Sequence, residues 1–386
     1  MEMITMALYN VLKLNKIAQV GIDRLGGNYA ASDDCAAPDA VLVRSASMHD
    51  MELPASLKAI ARAGAGTNNI PIDKCTKAGI AVFNTPGANA NAVKELVLAG
   101  MLMSSRNVLG GIEWAKTLKG NGDQVGKMVE KGKSQFAGPE IKGKTLGVVG
   151  LGAIGALVAN AAVALGMKVI GYDPFLSVAG ALKLDTAVEY KANLDDIFAE
   201  SDYISLHVPL NADTKGTVCA ESIAKMKDNV RIMNFARDGL VNSTDLLAGL
   251  KSGKIAAYVT DFATDDILCE DKVIALPHLG ASTPESEDNC AVMAADEIKA
   301  YLENGSVINS VNLPAMKLGA IKGKRVCIIH ENNAAVLPAV TAKFAGTNSV
   351  ESKVRGDVAY TVIDTDADVS DDIAAVEGVI SVRVIG

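Results

Sequence analysis

At 386 residues the chain is too long for one ordinary domain, and two or three are expected. Its hydrophobic residues, 49% of the total, suffice for buried cores, yet no apolar run reaches the roughly 18 residues of a membrane span. A net charge of −8 repels phosphate backbones and argues against a nucleic-acid partner, so an anionic substrate must be met by a local cluster of Arg and Lys.

In chain order, Met1 to Asn15 lacks a basic start followed by an apolar block, so no signal peptide is expected and the cytoplasm is the default setting. From Lys13 to about Thr85, short apolar strands alternate with helical stretches. Ala40 to Val43 ends at Arg44, Ser56 to Arg62 leads into a glycine-bearing turn at Ala63 to Thr67, and Gly79 to Phe83 ends at Asn84-Thr85-Pro86. In open α/β sheets ligands collect at such carboxyl ends. Asn89 to Val108 is helical by period, and Gly110 to Gly143 is Gly- and Lys-rich and less regular. From Thr145 to about Ala275 strand and helix patterns alternate, as a parallel sheet covered on both faces requires. A helix over Pro284 to Leu302 stops at Asn304-Gly305, and Pro314 to Lys324 reads as a linker. The tail repeats strand (Arg325 to His330), helix (Leu337 to Phe344), strand (Val358 to Asp364), helix (Ser370 to Glu377) and strand (Val379 to Ile385). A unit that small should dock or self-associate. The six cysteines show no paired spacing, which speaks against disulfides or a zinc site, and no metal is expected.

Gly150-Leu151-Gly152-Ala153-Ile154-Gly155 follows an apolar strand and opens an Ala-rich helix. The first glycine permits the tight turn, the second lets a pyrophosphate approach the backbone, and the third lets helix and strand pack closely. The helix start offers free N–H groups to the phosphates. The next strand delivers Asp173, near the spacing expected for the acid that binds the adenosine ribose. A carboxylate there repels a 2′-phosphate, so the expected cofactor is NAD.

Four later strand ends should share one edge: His207-Val208-Pro209, Asn234-Phe235-Ala236-Arg237, Asp261, and Pro277-His278-Leu279-Gly280. With Val149 to Gly155, Ser205 to Leu210, Asn234 to Gly239 and Pro277 to Thr283, the chain resembles the D-isomer-specific 2-hydroxyacid dehydrogenase family. Val43 to Ala46, Arg62 to Gly64, Asn84 to Val93 and Asn309 to Pro314 resemble the branch that oxidises D-3-phosphoglycerate.

The resemblance implies a catalytic set of Arg237, Asp266 and His278. Asp265 and Asp266 both occupy the region of the family's usual Glu, and ungapped alignment selects Asp266. His278 would take the hydroxyl proton as hydride leaves C2, and Arg237 would hold the substrate carboxylate. NAD contacts are expected from Gly150, Gly152, Ala153, Ile154, Gly155, Asp173, Val208, Pro209, Phe235, Ala236, Asp261 and Gly280. His207 would neighbour the cofactor without acting as base. Arg44, Ser45, Arg62, Gly64 and Lys133 are the expected substrate contacts, Lys133 reaching a neighbouring subunit's site.

The implied fold is α/β. Two Rossmann-like doubly wound parallel-sheet domains precede a small C-terminal α+β unit resembling the ACT amino-acid-sensing module. The substrate domain would comprise residues 1–92 and 284–315, the NAD domain 93–283 and the ACT-like unit 324–386. His330, Asn332 and Asn348 fall where that module contacts serine, so a serine effector is expected, although Ala334-Ala335 replace its Pro-Gly pair. A homodimer or homotetramer is expected, with Asn91 to Lys133 at the dimer contact. Reduction of glyoxylate or hydroxypyruvate is the enzymatic alternative, and an NAD-sensing scaffold without turnover the non-enzymatic one.

Overall fold

A computed structural model describes residues 9–386; the first eight residues of the expected substrate domain, and the part of the leader reading that falls on them, lie outside it. Two compact units emerge, one of residues up to Asn89 together with Pro284–Gly386, the other Ala90–Thr283.

In the first unit β1 (Tyr9–Leu14), β2 (Tyr29–Ser32), β3 (Ala40–Val43), β4 (Ala59–Arg62) and β5 (Ala81–Asn84) form a parallel sheet in the order β2-β1-β3-β4-β5. Helix α1 (Gln19–Leu25) follows β1, and α2 (Ile72–Lys77) precedes β5. Every residue of β3 is fully buried, which is why its sequence is an unbroken apolar run and not an alternation.

The second unit starts with α3 (Ala90–Ser105), α4 (Val108–Thr117) and α5 (Val125–Gly132). Alternation then runs through β6 (Thr145–Val149), α6 (Ala153–Ala164), β7 (Lys168–Tyr172), α7 (Val178–Ala181), β8 (Val188–Tyr190), α8 (Leu194–Glu200) and β9 (Tyr203–Leu206). It continues through α9 (Ala220–Lys225), β10 (Val230–Asn234), α10 (Ser243–Ser252), β11 (Ile255–Thr260) and β12 (Val273–Ala275). The seven strands are all parallel, in the order β12-β11-β10-β9-β6-β7-β8. Strand order reverses between β6 and β9, the switch point where open α/β sheets leave a crevice.

The chain returns to the first unit through α11 (Pro284–Asn304), then β13 (Lys324–Glu331), α12 (Val336–Thr341), β14 (Ser349–Arg355), β15 (Val358–Thr365) and β16 (Val379–Ile385). The last four strands form an antiparallel sheet, β14-β15-β13-β16. Strand β14 was not among the expected elements, and the helix expected over Ser370 to Glu377 is only a 3-10 turn at Asp371–Ile373. Among the described residues no helix is long and apolar enough to cross a membrane, and no cluster could hold a metal ion.

One face of the terminal sheet is core: Cys327, Ile329, Tyr360 and Val362 join Tyr301, Leu302, Val307 and Leu313 in one cluster. A helix end leaves its last carbonyls unpaired, and here the sheet supplies donors for them. Arg383 donates to Tyr301 and Leu302, at 2.7 Å each, and stacks on the Tyr301 ring. Arg325 reaches the Asn304 carbonyl at 2.9 Å, and the Tyr360 hydroxyl reaches Gly305 at 2.7 Å. Arg325 also forms a bidentate pair with buried Asp364, at 2.7 and 2.8 Å.

Within α11, Glu297 is buried; its Oε1 accepts from Asn309 at 2.7 Å and its Oε2 has no partner among the described residues. Burial pushes this carboxyl up to about 8, against the Asn309 hydrogen bond, with Asp296 adding to the rise. A carboxyl protonated longer in the folded state contributes its full stability below its ordinary value near 4.5 and loses it as pH climbs through about 8. Thermal unfolding of Glu297→Gln should therefore gain on the parent protein between pH 4.5 and 8. An equal difference at both pH values would contradict the assignment.

Candidate active site

The glycine loop is built at the β6–β9 switch. Gly150 has φ +93°, a left-handed conformation that only glycine adopts freely. A Cβ there would meet the His207 carbonyl at 2.5 Å and Val208 at 2.9 Å. At Gly155 a Cβ would run into the Gly150 carbonyl. Gly152 differs, because among the described residues no atom beyond its own chain neighbours lies within 4 Å of a Cβ built on it. Packing does not demand a glycine there, whereas a phosphate approaching the backbone would. Gly152 gives α6 no side-chain cap, so the first N–H groups of the helix, at exposed Ala153 and half-buried Ile154, remain for an anion.

Asp173 follows β7 and accepts from the N–H groups of Leu151 and Phe175, at 2.9 Å each. Each oxygen keeps a lone pair for a ribose hydroxyl. The residues therefore fit a dinucleotide, with Asp173 on the ribose and the loop on the pyrophosphate.

Val208 is half-buried and Pro209 exposed at the end of β9. His207 binds the Ser205 hydroxyl through Nε2 at 2.8 Å, and its Nδ1 is buried without a partner among the described residues. Burial pulls the ring down to about 4, so it is neutral at physiological pH and poorly suited as a base. Phe235 is buried with its ring against Gly100 of α3, and Ala236 is half-buried.

Arg237, Asp266 and His278 are all exposed on loops that follow strands of this sheet. The His278 N–H donates to the Asp261 carbonyl at 3.1 Å, and its ring meets Phe262 edge-on, centroids 5.0 Å apart. Asp261 is buried: Oδ2 accepts from Gly280 N–H at 2.9 Å, and Oδ1 has no partner among the described residues. Burial raises this carboxyl, opposed by the Gly280 N–H and by the nearby His278 charge.

Asp266 is not brought to His278. Its carboxylate is held below the usual range by hydrogen bonds first from Thr264 and then from Ser243. The acid whose main chain holds the His278 loop is instead the buried Asp261.

In the first unit, Arg62 at the end of β4 donates through Nε to the Arg44 carbonyl at 3.0 Å, and its guanidinium lies against Gly64. The N–H of Ser45 is held by Asn15 Oδ1 at 3.1 Å. Arg44 pairs with Glu287 of α11 at 2.8 Å, a partner the sequence did not suggest. Lys133, in the second unit, pairs with Glu130. In the terminal sheet His330 is buried, with one ring nitrogen on Thr361 and the other on the Glu331 carbonyl, at 2.8 and 2.7 Å. Asn332 bonds Gly356, whereas Asn348 bonds Asp366 and Lys322 near the opposite end of β13. One chain does not gather the three expected serine contacts.

Residues 98–282 match the family described as D-isomer specific 2-hydroxyacid dehydrogenase, NAD binding domain. A hydroxypyruvate reductase of Thermotoga maritima is 41% identical over 272 residues, which cover 67% of this chain and 83% of that protein. The chain belongs to the D-isomer-specific 2-hydroxyacid dehydrogenase family. A D-3-phosphoglycerate dehydrogenase of Mycobacterium leprae is 38% identical over 284 residues, 71% of this chain and 51% of the relative. The match thus spans about half the length of such curated relatives. Among solved structures, the NAD+-bound 3-phosphoglycerate dehydrogenase of Entamoeba histolytica superposes with a TM-score of 0.60 at 27% identity, covering 79% of this chain and 99% of that one. As in its family, the cofactor of the matched domain is NAD.

Proposed function

We propose that the protein oxidises D-3-phosphoglycerate to 3-phosphohydroxypyruvate, the entry to serine synthesis. The observation that carries the chemistry is that Arg237 and His278 stand on strand-end loops of one NAD-binding sheet, His278 on the loop held by the buried Asp261. NAD, held by the Gly150–Gly155 loop and Asp173, would supply the hydride acceptor for C2. Arg237 binds the substrate carboxylate and steadies charge on the reacting oxygen. His278 takes the hydroxyl proton, and returns it in the reverse direction. Asp266, fully ionised where it is, is the acid assigned to steady the imidazolium once freed from Thr264 and Ser243.

Arg44 and Arg62 are assigned to the phosphate. Their joint position at the ends of β3 and β4 supports this, with Ser45 and Gly64 beside them. Lys133 is assigned to a neighbouring subunit's substrate. Helix α4 buries none of its residues and exposes Val108, Leu109 and Ile112, which supports self-association as a dimer or tetramer. A serine effector would need contacts from two chains. Six free cysteines suit a cytoplasmic setting.

Reduction of hydroxypyruvate is the second reading, favoured by the Thermotoga relative and by the carboxylate already on Arg44. NADH consumption at 340 nm with phosphohydroxypyruvate, hydroxypyruvate and glyoxylate separates the two. In the same assay Arg44→Ala should raise KM for the phosphorylated substrate about tenfold or more and leave that for hydroxypyruvate nearly unchanged. Equal changes would remove the phosphate role.

A further inference from the structure

We propose that Asn234 is a positioning residue for the substrate carboxylate, because its side-chain amide clamps the peptide groups that carry Arg237. The inference rests on the reading of Arg237 given above. Asn234 ends β10 and is 1% exposed. Its Oδ1 accepts from the Ala236 N–H at 3.2 Å, and its Nδ2 donates to the Arg237 carbonyl at 3.0 Å. The same Nδ2 lies 3.3 Å from the Tyr258 hydroxyl of β11. The loop is thus fixed from inside the sheet, by an Asx turn closed on both sides.

The strand itself does not need this amide. The rungs of β10 are made by main-chain pairing with β9 and β11, in which Asn234 faces Leu206 and Thr260. What the amide fixes is the turn beyond the strand. Arg237 is exposed, and among the described residues its guanidinium hydrogen-bonds back to the Ala236 carbonyl through Nη1 at 2.6 Å. Its direction is therefore set by the peptides that Asn234 holds and not by surrounding side chains.

The main chain of the same residue leads to the imidazole loop. The Asn234 carbonyl accepts from the Thr260 hydroxyl at 2.9 Å, and that hydroxyl accepts from the Phe262 N–H at 3.1 Å. Phe262 carries the ring that meets His278 edge-on. One buried chain of hydrogen bonds so fixes the spacing between the guanidinium and imidazole loops.

Asn234→Asp keeps size and the acceptor for Ala236 but sets an oxygen against the Arg237 carbonyl. Tyr258→Phe removes one partner of the amide with little change of volume. The probe is oxalate, a carboxylate mimic of a 2-keto acid, titrated into the enzyme–NADH complex and followed by NADH fluorescence. Asn234→Asp should weaken oxalate and raise the keto-acid KM by about tenfold or more, with NADH affinity held within about twofold. Tyr258→Phe should move oxalate the same way by about threefold. Oxalate and NADH weakening together, or a folded Asn234→Asp variant that binds oxalate normally, overturns the proposal. If Asn234→Asp does not fold, unchanged oxalate binding by Tyr258→Phe overturns it. Oxalate binding that survives Arg237→Ala sinks the reading of Arg237 instead, and this inference with it.

Discussion

Replacing His278 with glutamine is expected to lower kcat by about two to four orders of magnitude while NADH affinity stays within about twofold. Glutamine offers a hydrogen bond but cannot carry the proton released from the substrate hydroxyl. The ring is exposed and meets Phe262 edge-on, so removing it opens no cavity in the core. His207, the other histidine at a strand end of this sheet, cannot take over, since burial holds it neutral down to about pH 4. Single-turnover absorbance at 340 nm with saturating NADH and keto acid reads the loss directly. A variant that retained more than about a tenth of the rate would remove His278 from the chemistry.

Replacing Arg237 with alanine should lower kcat/KM for every 2-keto acid by about a thousandfold, roughly 4 kcal/mol of transition-state stabilisation. The effect is expected on phosphorylated and unphosphorylated substrates alike, because all share the carboxylate and the reacting oxygen. Arg237→Lys should recover only a small part, since a point charge cannot bind a carboxylate in two parallel hydrogen bonds. Stability should hardly change, as the side chain is exposed and its guanidinium binds only the carbonyl of its own neighbour among the described residues. A loss confined to phosphorylated substrates would instead assign Arg237 to the phosphate.

Local demands were the legible part of this chain. Gly150 and Gly155 could be read because a turn and a helix–strand contact forbid side chains there, and the structure has both constraints. Buried parallel strands such as Ala40–Val43 were visible as plain apolar runs. Strand β14 was missed because Ser349–Arg355 lies at a sheet edge, with polar Ser352, Lys353 and Arg355 interrupting its valines. Helices α4 and α5 were blurred because Gly110, Gly111, Gly126 and Gly132 interrupt their patterns and neither buries a residue. In the candidate site, strand order placed Arg237 and His278, but side-chain pairing stayed hidden. Nothing local says that Thr264 and Ser243 hold Asp266, or that Glu287 lies on Arg44. Asn234 stood inside a quoted motif without a role, although an Asn two residues before Ala236 is the ordinary signal of an Asx turn.

Helix α11 has a partner at each extremity. Its first turn holds Arg44 through Glu287, and its last carbonyls are tied to Arg325 and Arg383, with Tyr360 on the Gly305 carbonyl just beyond. An α-helix is stiff along its axis, and this one spans about 30 Å. The terminal sheet is accordingly welded to a strut rather than hung on a hinge, and the far tip of that strut grips a cation proposed to receive phosphate.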